Sequence, residues 1–586
     1  MSTTTNTRRS FLRSLGLGAA ALAAPRPATA AGEARRPNVV VLLTDDQGWG
    51  DVHGHGNEKL DTPVMDRLAA EGASFDRFFV SPVCAPTRAA FLTGRYPRRT
   101  GVSGVSRGFE TLRADEVTIA EALQAGGYAT ACFGKWHNGA HYPHHPNGQG
   151  FGEYLGICCG HWNNYFDIAM DHNGVPVQTS GYVNDVLTDA AMDFMARHRR
   201  RPFFVTLAYN TPHSPMQVPD RFFAKYKQRG LDDRLAAVYG MVESLDECFG
   251  RLLAHLGRLG LDRDTIVLFF TDNGPNGSRY NGGMRGHKGS VHEGGVRVPL
   301  FVRWPGRIPA GLRVEPIAAH IDLWPTLVEL TGVPRPETKP LDGRSLAPLL
   351  RGEEVAWPDR MIFTERGRRG AVRTQRYRLV VQGKKAQLYD MTADPGETTD
   401  VADRHPDVTR RLHQAYQRWW KEVSAADAGR PPIPVGYEQS KVVEMPTPEG
   451  TWGGGLKFGG RFANNNWLTG WTSTDAFVAW HIDVVHPGPY EVVLKYICPA
   501  ADLGSRIRAE ADGRTIEGTL EKAQEPNVVP SPDRVPRKEV PARRWALWSL
   551  GTLELPEGRT RLTVKASHIP GKAAMDLKAV LLRRLP

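Results

Sequence analysis

Residues 38–44 read Asn-Val-Val-Val-Leu-Leu-Thr and are followed directly by Asp45-Asp46. A short, continuous apolar run of this kind is typical of a strand buried on both faces of a parallel sheet. In open α/β sheets, ligands bind outside the carboxyl ends of such strands. The stretch therefore predicts an α/β fold and makes Asp45 and Asp46 candidate site residues.

Three other segments repeat this pattern of an apolar run that leads to polar residues. The runs and their polar clusters are 265–271 with Asp272-Asn273-Gly274, 203–209 with Thr211-Pro212-His213, and 128–133 with Lys135-Trp136-His137. The third run follows a helix-like segment, 118–125, and a Gly-Gly break. Because the carboxyl ends of parallel strands meet at one edge, we expect all four clusters to converge on one crevice.

Each cluster taken alone would also fit an ordinary structural role. Asp45-Asp46 fits a helix cap, and Asp272-Asn273-Gly274 fits a plain turn. Lys135 and His137 could be exposed surface residues, and His213 could be a loop histidine whose ring nitrogens are hydrogen-bonded within the loop. None of these roles accounts for the joint order of the clusters along the chain.

A fifth motif, Cys84-Ala85-Pro86-Thr87-Arg88, continues to Leu92-Thr93-Gly94-Arg95. Its plain interpretation is a buried cysteine beside a turn. A thiolate nucleophile of the tyrosine-phosphatase kind would need an arginine six residues after the cysteine, where the chain has Ala90. Residues 87–93 predict a helix, which places Cys84 at an amino terminus that favours an anion.

The order of these motifs resembles the type I, formylglycine-dependent sulfatase family, which has the alkaline phosphatase superfold. The resemblance covers roughly residues 37–425, and its one departure in the cysteine motif is Thr87, where serine is commoner. Softer landmarks support it, namely Asp61-Thr62-Pro63, Gly134-Lys135-Trp136-His137, Gly294-Gly295-Val296-Arg297-Val298-Pro299, Leu388-Tyr389-Asp390 and Asp394-Pro395-Gly396-Glu397.

The resemblance implies a set of catalytic residues: Cys84, Arg88, Lys135, His137, His213 and Lys288. A formylglycine-generating enzyme would convert the Cys84 thiol to an aldehyde, whose hydrate attacks sulfur. His137 would then be the base that lets the second hydroxyl of the hydrate expel sulfate, and His213 or Lys288 would protonate the leaving alcohol. Lys135, His213 and Lys288 would also stabilise charge on the sulfate oxygens.

The resemblance also implies one cation, held by Asp45, Asp46, Asp272, Asn273 and the modified Cys84. Oxygen ligands of this kind select Ca²⁺ or Mg²⁺ over zinc, and we expect Ca²⁺. The implied reaction is hydrolysis of a sulfate ester, with a sulfated carbohydrate or an aryl sulfate as substrate. One alternative is a phosphomonoester or phosphonate hydrolase of the same superfold, although Asn273 stands where a two-metal enzyme would need another ligand. Another is a catalytically silent, sulfatase-like binding protein.

Residues 138–172 form an insertion rich in histidine, asparagine and aromatic residues. Neutral hydrogen-bonding groups and aromatic faces suit a sugar sulfate. The candidate substrate contacts are His141, His161, Trp162, Asn163 and Asn164. The same composition would also fit a metal-binding tract or a loop whose polar residues only hold it together.

The predicted architecture is a central mixed sheet flanked by helices, then a small α+β subdomain, then a β-sandwich of jelly-roll type. The predicted boundaries are 36–355, 356–425 and 437–586, with a linker at 426–436. Alternating strands with Gly/Pro turns after residue 476 predict the sandwich, which resembles carbohydrate-binding modules. Trp480 fits its core, whereas Trp467 and Trp471, beside three asparagines, are candidates for stacking on sugar.

Residues 1–30 resemble a twin-arginine signal, with Arg8-Arg9 before a short apolar stretch and a small-residue cleavage site. We therefore expect the twin-arginine export machinery to be a partner and the protein to be periplasmic or extracellular. The apolar stretch is too short to span a bilayer. The formal charge is +11, of which four arginines lie in the first thirty residues, so no nucleic-acid partner is expected.

Overall fold

A ten-stranded mixed sheet organises residues 38–314. In this computed structural model, residues 35–427 and 429–586 are described. The strands of this region are β1 Asn38–Thr44, β2 Ala73–Phe75, β3 Phe78–Phe79, β4 Ala129–Lys135, β5 Glu153–Ile157, β6 Ala169–His172, β7 Val175–Gln178, β8 Phe203–Ala208, β9 Thr265–Thr271, β10 Arg297–Val298, β11 Leu300–Arg303, β12 Leu312–Val314 and β13 Ala318–Ala319. The ten-stranded sheet has the order β12-β2-β11-β9-β1-β8-β4-β5-β6-β7, and β10, β3 and β13 form a separate small sheet.

The centre of this sheet is parallel and buried on both faces, as the apolar run at residues 38–44 predicts. β1 pairs in parallel with β8 on one side and β9 on the other, and β4 pairs in parallel with β8. Val40 and Leu42 join the core on one face, whereas Val39, Val41 and Leu43 join the core on the other. This alternation explains why both sides of the strand must be apolar.

Ten helices flank the sheets among the described residues. Their bounds are α1 Pro63–Ala70, α2 Cys84–Thr93, α3 Ile119–Ala125, α4 Val183–Arg197, α5 Asp220–Gln228, α6 Asp233–Arg258, α7 Glu293–Val296, α8 Leu323–Thr331, α9 Ala347–Leu350 and α10 Pro406–Ala425. No described helix is both long and apolar enough to cross a membrane. The predicted signal at residues 1–30 lies outside the described residues.

A four-stranded antiparallel sheet follows the large sheet along the chain, in the order β14-β15-β16-β17. Its strands are β14 Ile362–Arg366, β15 Arg369–Arg373, β16 Tyr377–Gln382 and β17 Lys385–Asp390. The long helix α10 packs on it through Leu412, Trp419 and Val423, which share a core with Leu379 and Leu388. This is the small α+β subdomain that the sequence predicts.

Two six-stranded sheets complete the chain and form the sandwich. Their strands are β18 Ile433–Val435, β19 Val442–Pro446, β20 Thr451–Gly453, β21 Lys457–Phe458, β22 Leu468–Thr469, β23 Phe477–Val484, β24 Gly488–Ile497, β25 Arg506–Ala511, β26 Arg514–Thr519, β27 Ala546–Leu555, β28 Gly558–His568 and β29 Asp576–Arg584. One sheet runs β18-β23-β28-β25-β26 with β20 beside β23, and the other runs β21-β22-β29-β24-β27 with β19 beside β29. Trp480, Tyr490, Leu562 and Val580 meet in the core between them.

Two details of this part differ from what the sequence suggests. Trp467 and Trp471 are not available for stacking on sugar, because their side chains are 3% and 0% exposed. Trp471 lies in the sandwich core, and Trp467 packs edge-on against Trp545. Strand β18 also lies inside the segment predicted as a linker, residues 426–436.

Candidate active site

The carboxyl ends of β9, β1, β8 and β4 lie side by side, and each leads to polar side chains. Asp45 N donates to Thr211 O at 3.2 Å, and Asp272 N donates to Thr44 O at 3.2 Å. These backbone bonds continue the parallel ladder past the strands and bring three of the predicted clusters together. The fourth arrives with Lys135, the last residue of β4.

Asp46 and His137 both have backbones in the left-handed region, with φ of 65° and 63°. Non-glycine residues adopt this region rarely, and such strain is concentrated at functional sites. Asp46 is held there in part by its own N–H, which donates to Asp272 Oδ1 at 3.3 Å. The residue before Lys135, Gly134, must be glycine, because a Cβ there would lie 2.0 Å from the carbonyl oxygen of Ala208.

Cys84 is the first residue of α2, and every side chain of that helix is buried. The cysteine is 4% exposed. Its Sγ, one oxygen of Asp45 and one oxygen of Asp272 all lie within 4.8 Å of one another. The predicted helix start and the predicted carboxylates are therefore parts of a single cluster.

Four basic side chains contact the three carboxylates of the site. Arg88 donates to Asp272 Oδ2 from Nε at 3.1 Å and from its terminal nitrogen at 2.8 Å. Lys135 Nζ pairs with Asp45 Oδ2, and Lys288 Nζ lies 2.5 Å from Asp46 Oδ1. The fourth is His213, whose Nε2 lies 3.7 Å from Asp46 Oδ2.

These pairs set the charges of the buried carboxylates. Burial would raise the pKa of Asp45, but Lys135 and His213 outweigh it and hold that pKa below its usual value. The pKa of Asp46 is also lowered, because Lys288 and His213 outweigh burial. In contrast, burial and the neighbouring Asp45 charge raise the pKa of Asp272 to about 8. Crowded carboxylates of this kind accommodate additional positive charge.

Three oxygen atoms of the predicted metal ligands have no hydrogen-bond partner among the described residues. They are Asp45 Oδ1, Asp46 Oδ2 and Asn273 Oδ1, all fully buried. Asn273 turns its Nδ2 toward Asp46 Oδ1 at 2.8 Å, which leaves its oxygen unpartnered. Buried oxygens without partners are costly, so a set of hard donors in this arrangement fits Ca²⁺ or Mg²⁺.

The tautomer of His137 follows from its contact with a backbone carbonyl. His137 Nε2 lies 2.8 Å from Val105 O, and a carbonyl oxygen can only accept, so Nε2 carries the proton. Nδ1 is buried and has no partner in the described part of the chain. Burial and the charge of Lys135 lower the pKa of His137 well below its usual value, so the ring is neutral and its free lone pair is on Nδ1.

His213 is oriented in a similar way from the other side of the site. Its Nδ1 lies 2.7 Å from Ser214 O, which directs Nε2 toward Asp46. Tyr165 Oη donates to His213 O at 2.9 Å and thereby supports the loop. The ring of His161 stacks on His213 with centroids 5.8 Å apart, and burial lowers the pKa of His161 well below its usual value.

The structure separates the five predicted substrate contacts. His161 lies against His213, whereas His141 Nε2 is 3.0 Å from Glu449 Oε2 of the chain's last third. Trp162 packs in the hydrophobic core, and Asn163 has a buried side-chain oxygen without a described partner. Asn164 Oδ1 accepts from a neighbouring backbone N–H, that of Phe166, at 3.4 Å. Their role in substrate binding stays a prediction.

Two loops of the sandwich reach this site. In the first, Asn464 Nδ2 lies 3.5 Å from Val105 O, the oxygen that orients His137. A Cβ on Gly160 would lie 2.3 Å from Asn464 Nδ2 and 2.9 Å from His137 Cε1, so a glycine is needed where the two meet. In the second loop, Glu539 Oε1 accepts a hydrogen bond from Ser214 Oγ, next to His213.

Sequence reasoning missed Asn210, Arg279, Asn464 and Glu539. Asn210 donates to Asp45 Oδ2 at 3.2 Å, and its position after β8 is the signal that could have revealed it. Arg279 donates to Asp46 O at 2.8 Å and pairs with Asp51. No sequence pattern marks Arg279, and nothing in the chain order links Asn464 or Glu539 to this site.

Family models match the chain over most of its catalytic part. The model described as Sulfatase matches residues 37–333, and the model described as N-sulphoglucosamine sulphohydrolase, C-terminal, matches residues 286–422. Both models end before the sandwich, so the contacts of Asn464 and Glu539 lie outside what these models describe.

Among similar proteins, the N-acetylgalactosamine-6-sulfatase of Canis lupus familiaris is 34% identical, over 61% of this chain and 71% of that protein. The arylsulfatase A of Homo sapiens is also 34% identical, over 65% of this chain and 87% of that protein. Among solved structures, Ps i-CgsB in complex with k-i-k-neocarrahexaose is 31% identical with a TM-score of 0.62. That match covers 66% of this chain and 93% of the other.

Proposed function

Since this chain belongs to the sulfatase family and is a sulfuric ester hydrolase, we propose that it removes sulfate from a sulfated carbohydrate, with a formylglycine made from Cys84 as its nucleophile. The carbohydrate class draws on the similar proteins named for sugar sulfates and on the solved relative bound to a carrahexaose. Aryl sulfates would serve as small surrogate substrates. Export through the twin-arginine machinery is part of the same proposal.

One observation carries the nucleophile assignment. The Cys84 side chain sits at the amino terminus of α2 and within 4.8 Å of oxygens from Asp45 and Asp272. Helix N–H groups favour an anion at this position, and so does the charge of Arg88. An aldehyde hydrate at residue 84 would supply a hydroxyl that attacks sulfur.

The basic side chains have distinct proposed roles. Lys135 and Lys288 would stabilise charge on the sulfate oxygens, and Arg88 would hold residue 84 and Asp272 in place. His213, with Nε2 facing the site, would protonate the leaving oxygen. His137, with Nε2 bound to Val105 O, would use Nδ1 to remove a proton from the hydroxyl at residue 84.

A divalent cation fits the oxygens of Asp45, Asp46, Asp272 and Asn273. When bound there it would neutralise charge on the sulfuryl group and favour ionisation of the attacking hydroxyl. Ca²⁺ is the proposed ion, because the donors are all oxygen and Ca²⁺ accepts flexible coordination. The residues themselves keep the site polar, and Asn210 and Arg88 hold its carboxylates in place.

The deciding experiment is mass spectrometry of the peptide that contains residue 84, from protein produced together with a formylglycine-generating enzyme. We expect an aldehyde at residue 84 and release of sulfate from aryl sulfate and from a panel of sulfated sugars. An unmodified thiol in protein that still hydrolyses sulfate esters would overturn the nucleophile assignment. Preferential release of phosphate from phosphate esters would instead favour phosphohydrolysis.

A further inference from the structure

Two adjacent cavities lie where the catalytic part meets the sandwich. Their volumes are about 440 and 470 Å³. Both are lined by Arg430, Pro431, Pro432 and Arg559. These four residues line both cavities, and the two cavities together are here called the basic groove.

The basic groove is rich in arginine. Arg107 lines the first cavity, Arg113 lines the second, and Arg430 and Arg559 line both. Arg559 has a single described carboxylate neighbour, Asp483, at 3.7 Å, and its side chain is 78% exposed. Within the described residues, the other three have no carboxylate within salt-bridge distance.

Two carboxylates also line the groove, and each is paired with a base other than these arginines. Glu449 Oε2 lies 3.0 Å from His141 Nε2, and Asp115 Oδ2 lies 2.7 Å from Lys339 Nζ. The arginines outnumber the acidic side chains of the walls. The groove therefore holds more positive charge than its own carboxylates neutralise.

The contacts of Arg430 show how this charge is held in place. Its guanidinium donates to Glu449 O at 3.1 Å and to Arg107 O at 3.4 Å, so it is fixed by backbone carbonyls. Burial and the positive charge of Arg107 both lower the pKa of Arg430. A bound anion would relieve this repulsion, and a guanidinium fork matches the oxygens of a sulfate or carboxylate group.

The other lining groups suit a sugar chain. His481 and Thr560 offer hydrogen-bonding groups, and Pro431 and Pro432 offer flat apolar faces. Arg107 and Arg113 line different cavities, and two cavities with arginine in each favour a ligand with several anionic groups along a chain over one small anion. Phenylalanine, tyrosine and tryptophan, on which the bases of single-stranded nucleic acids stack, are not among the residues that line either cavity.

The basic groove lies close to the catalytic residues along the chain. Val105 O binds His137 Nε2 at 2.8 Å, and Arg107 of the groove is two residues further on. Two residues span roughly 7 Å at most. A polymer held in the groove would thus raise the concentration of its sulfate esters near the catalytic pocket.

We propose that the basic groove is a second binding site of this protein, for a sulfated polysaccharide chain, separate from the pocket in which sulfate is removed. This inference rests on the proposed function for the choice of glycan, and it assigns the sandwich a part in holding the substrate. The groove would lower KM for polymers and leave the turnover of small sulfate esters unchanged.

Binding is tested in full-length Cys84→Ala protein, which cannot turn over its ligand. The probe is a carrageenan hexasaccharide, measured by calorimetry against Cys84→Ala with Arg107→Ala and Arg559→Ala added. The matched control adds Arg508→Ala and Arg514→Ala, which remove the same charge from the sandwich outside the groove. We expect the groove variant to bind at least tenfold more weakly than the control at equal ionic strength.

Equal affinities of the groove and control variants would overturn the proposal, and so would binding of duplex DNA as tight as that of the hexasaccharide. In the formylglycine form, the groove variant should keep wild-type kcat and KM on an aryl sulfate and show a raised KM on polymer. If the wild type hydrolyses no sulfate ester, the proposed function fails, whereas the binding comparison still reports on the groove.

Discussion

His137 Nε2 and Val105 O are 2.8 Å apart, and this contact fixes which imidazole nitrogen is available for chemistry. Nε2 must donate to the carbonyl, so the lone pair is on the buried Nδ1. The positive φ of His137 is part of the same arrangement, because the backbone conformation sets the direction of the ring. The site therefore contains a neutral base whose orientation is set by a main-chain atom.

Replacement of His137 by alanine should slow the step that frees sulfate from the enzyme. We expect kcat on an aryl sulfate to fall by about 10²–10⁴, the range for loss of a general base. Rapid mixing should then show a burst of released phenol before a slow steady state. If the amplitude of the phenol burst fell by the same factor as the steady-state rate, the result would contradict this role and indicate a structural defect.

The Cys84→Ser variant should bind substrate but not sustain turnover, because a serine hydroxyl lacks the second hydroxyl that an aldehyde hydrate uses to expel sulfate. Sulfate release from an aryl sulfate is the measurement. Cys248→Ala is the control, since Cys248 is also buried, at 2% exposure, but lies on α6. Repeated turnover by Cys84→Ser would show that formylglycine is not required.

Removal of divalent cations should destabilise the folded chain as well as inactivate it. After chelation, Ca²⁺ at a hundredfold excess over its Kd should restore about 2.7 kcal/mol of stability. Calorimetric Tm as a function of Ca²⁺ is the measurement. Asp45→Asn should lose most of this response, whereas Asp193→Asn, an exposed helical residue, should keep it. If the Tm of the wild type did not change with Ca²⁺ concentration, the proposed Ca²⁺ site would be excluded.

His320 should make the protein sensitive to acid. Its side chain is 3% exposed with Nε2 3.1 Å from Ser81 Oγ, and burial lowers its pKa to about 3. Because the folded pKa lies below the unfolded value of about 6.5, the unfolded chain binds the proton first. Stability is then complete above pH 6.5 and falls as pH drops toward 3, by about 2 kcal/mol at pH 5.

The comparison for this pH effect is His320→Gln, whose side chain does not titrate. Denaturant unfolding at pH 7 and pH 5 gives the free energy of unfolding of both proteins. The difference between them should change by about 2 kcal/mol in favour of the variant when the pH falls from 7 to 5. An unchanged difference would mean that His320 has the same pKa in the folded and unfolded chains.

Asn464→Ala should lower kcat/KM about tenfold on a small aryl sulfate, because the amide shares the Val105 oxygen that orients His137. The variant should also shift the acid limb of the pH–rate profile, which loss of stability alone would not do. Asn527→Ala is the matched control, since the Asn527 amide donates to carbonyls of Glu525 and Arg544 within the sandwich. If the two variants had the same kcat/KM and the same pH–rate profile, Asn464 would have no part in orienting His137.

Much of this arrangement follows from local pattern. The apolar run before Asp45 predicts a buried parallel strand, and its neighbours must then end at the same edge, so the convergence of Lys135 and Asp272 is a matter of topology. The start of α2 near Cys84 is predicted by Pro86. Such features depend on residues that are close in sequence or on rules that hold for a whole class of folds.

Contacts between distant segments could not be predicted in the same way. Trp467 and Trp471 look like exposed aromatics beside asparagines, yet tertiary packing buries both. Asn464 lies more than three hundred residues after the histidine that it adjoins. No sequence periodicity relates residues in such long-range contacts, because each contact depends on how the sandwich packs against the rest of the chain. The predicted domain boundaries and the role of residues 1–30 accordingly stay predictions.

The contribution of Asn464 and Glu539 to the walls of the site has a consequence for biosynthesis. Translation proceeds from the amino terminus, so Cys84, Lys135 and His213 all leave the ribosome well before the sandwich exists. The side of the site that Asn464 and Glu539 contribute forms only when the last third of the chain has folded. Under the proposed function, chain order would set a period in which a formylglycine-generating enzyme can reach the Cys84 thiol, and folding of the sandwich would end that period.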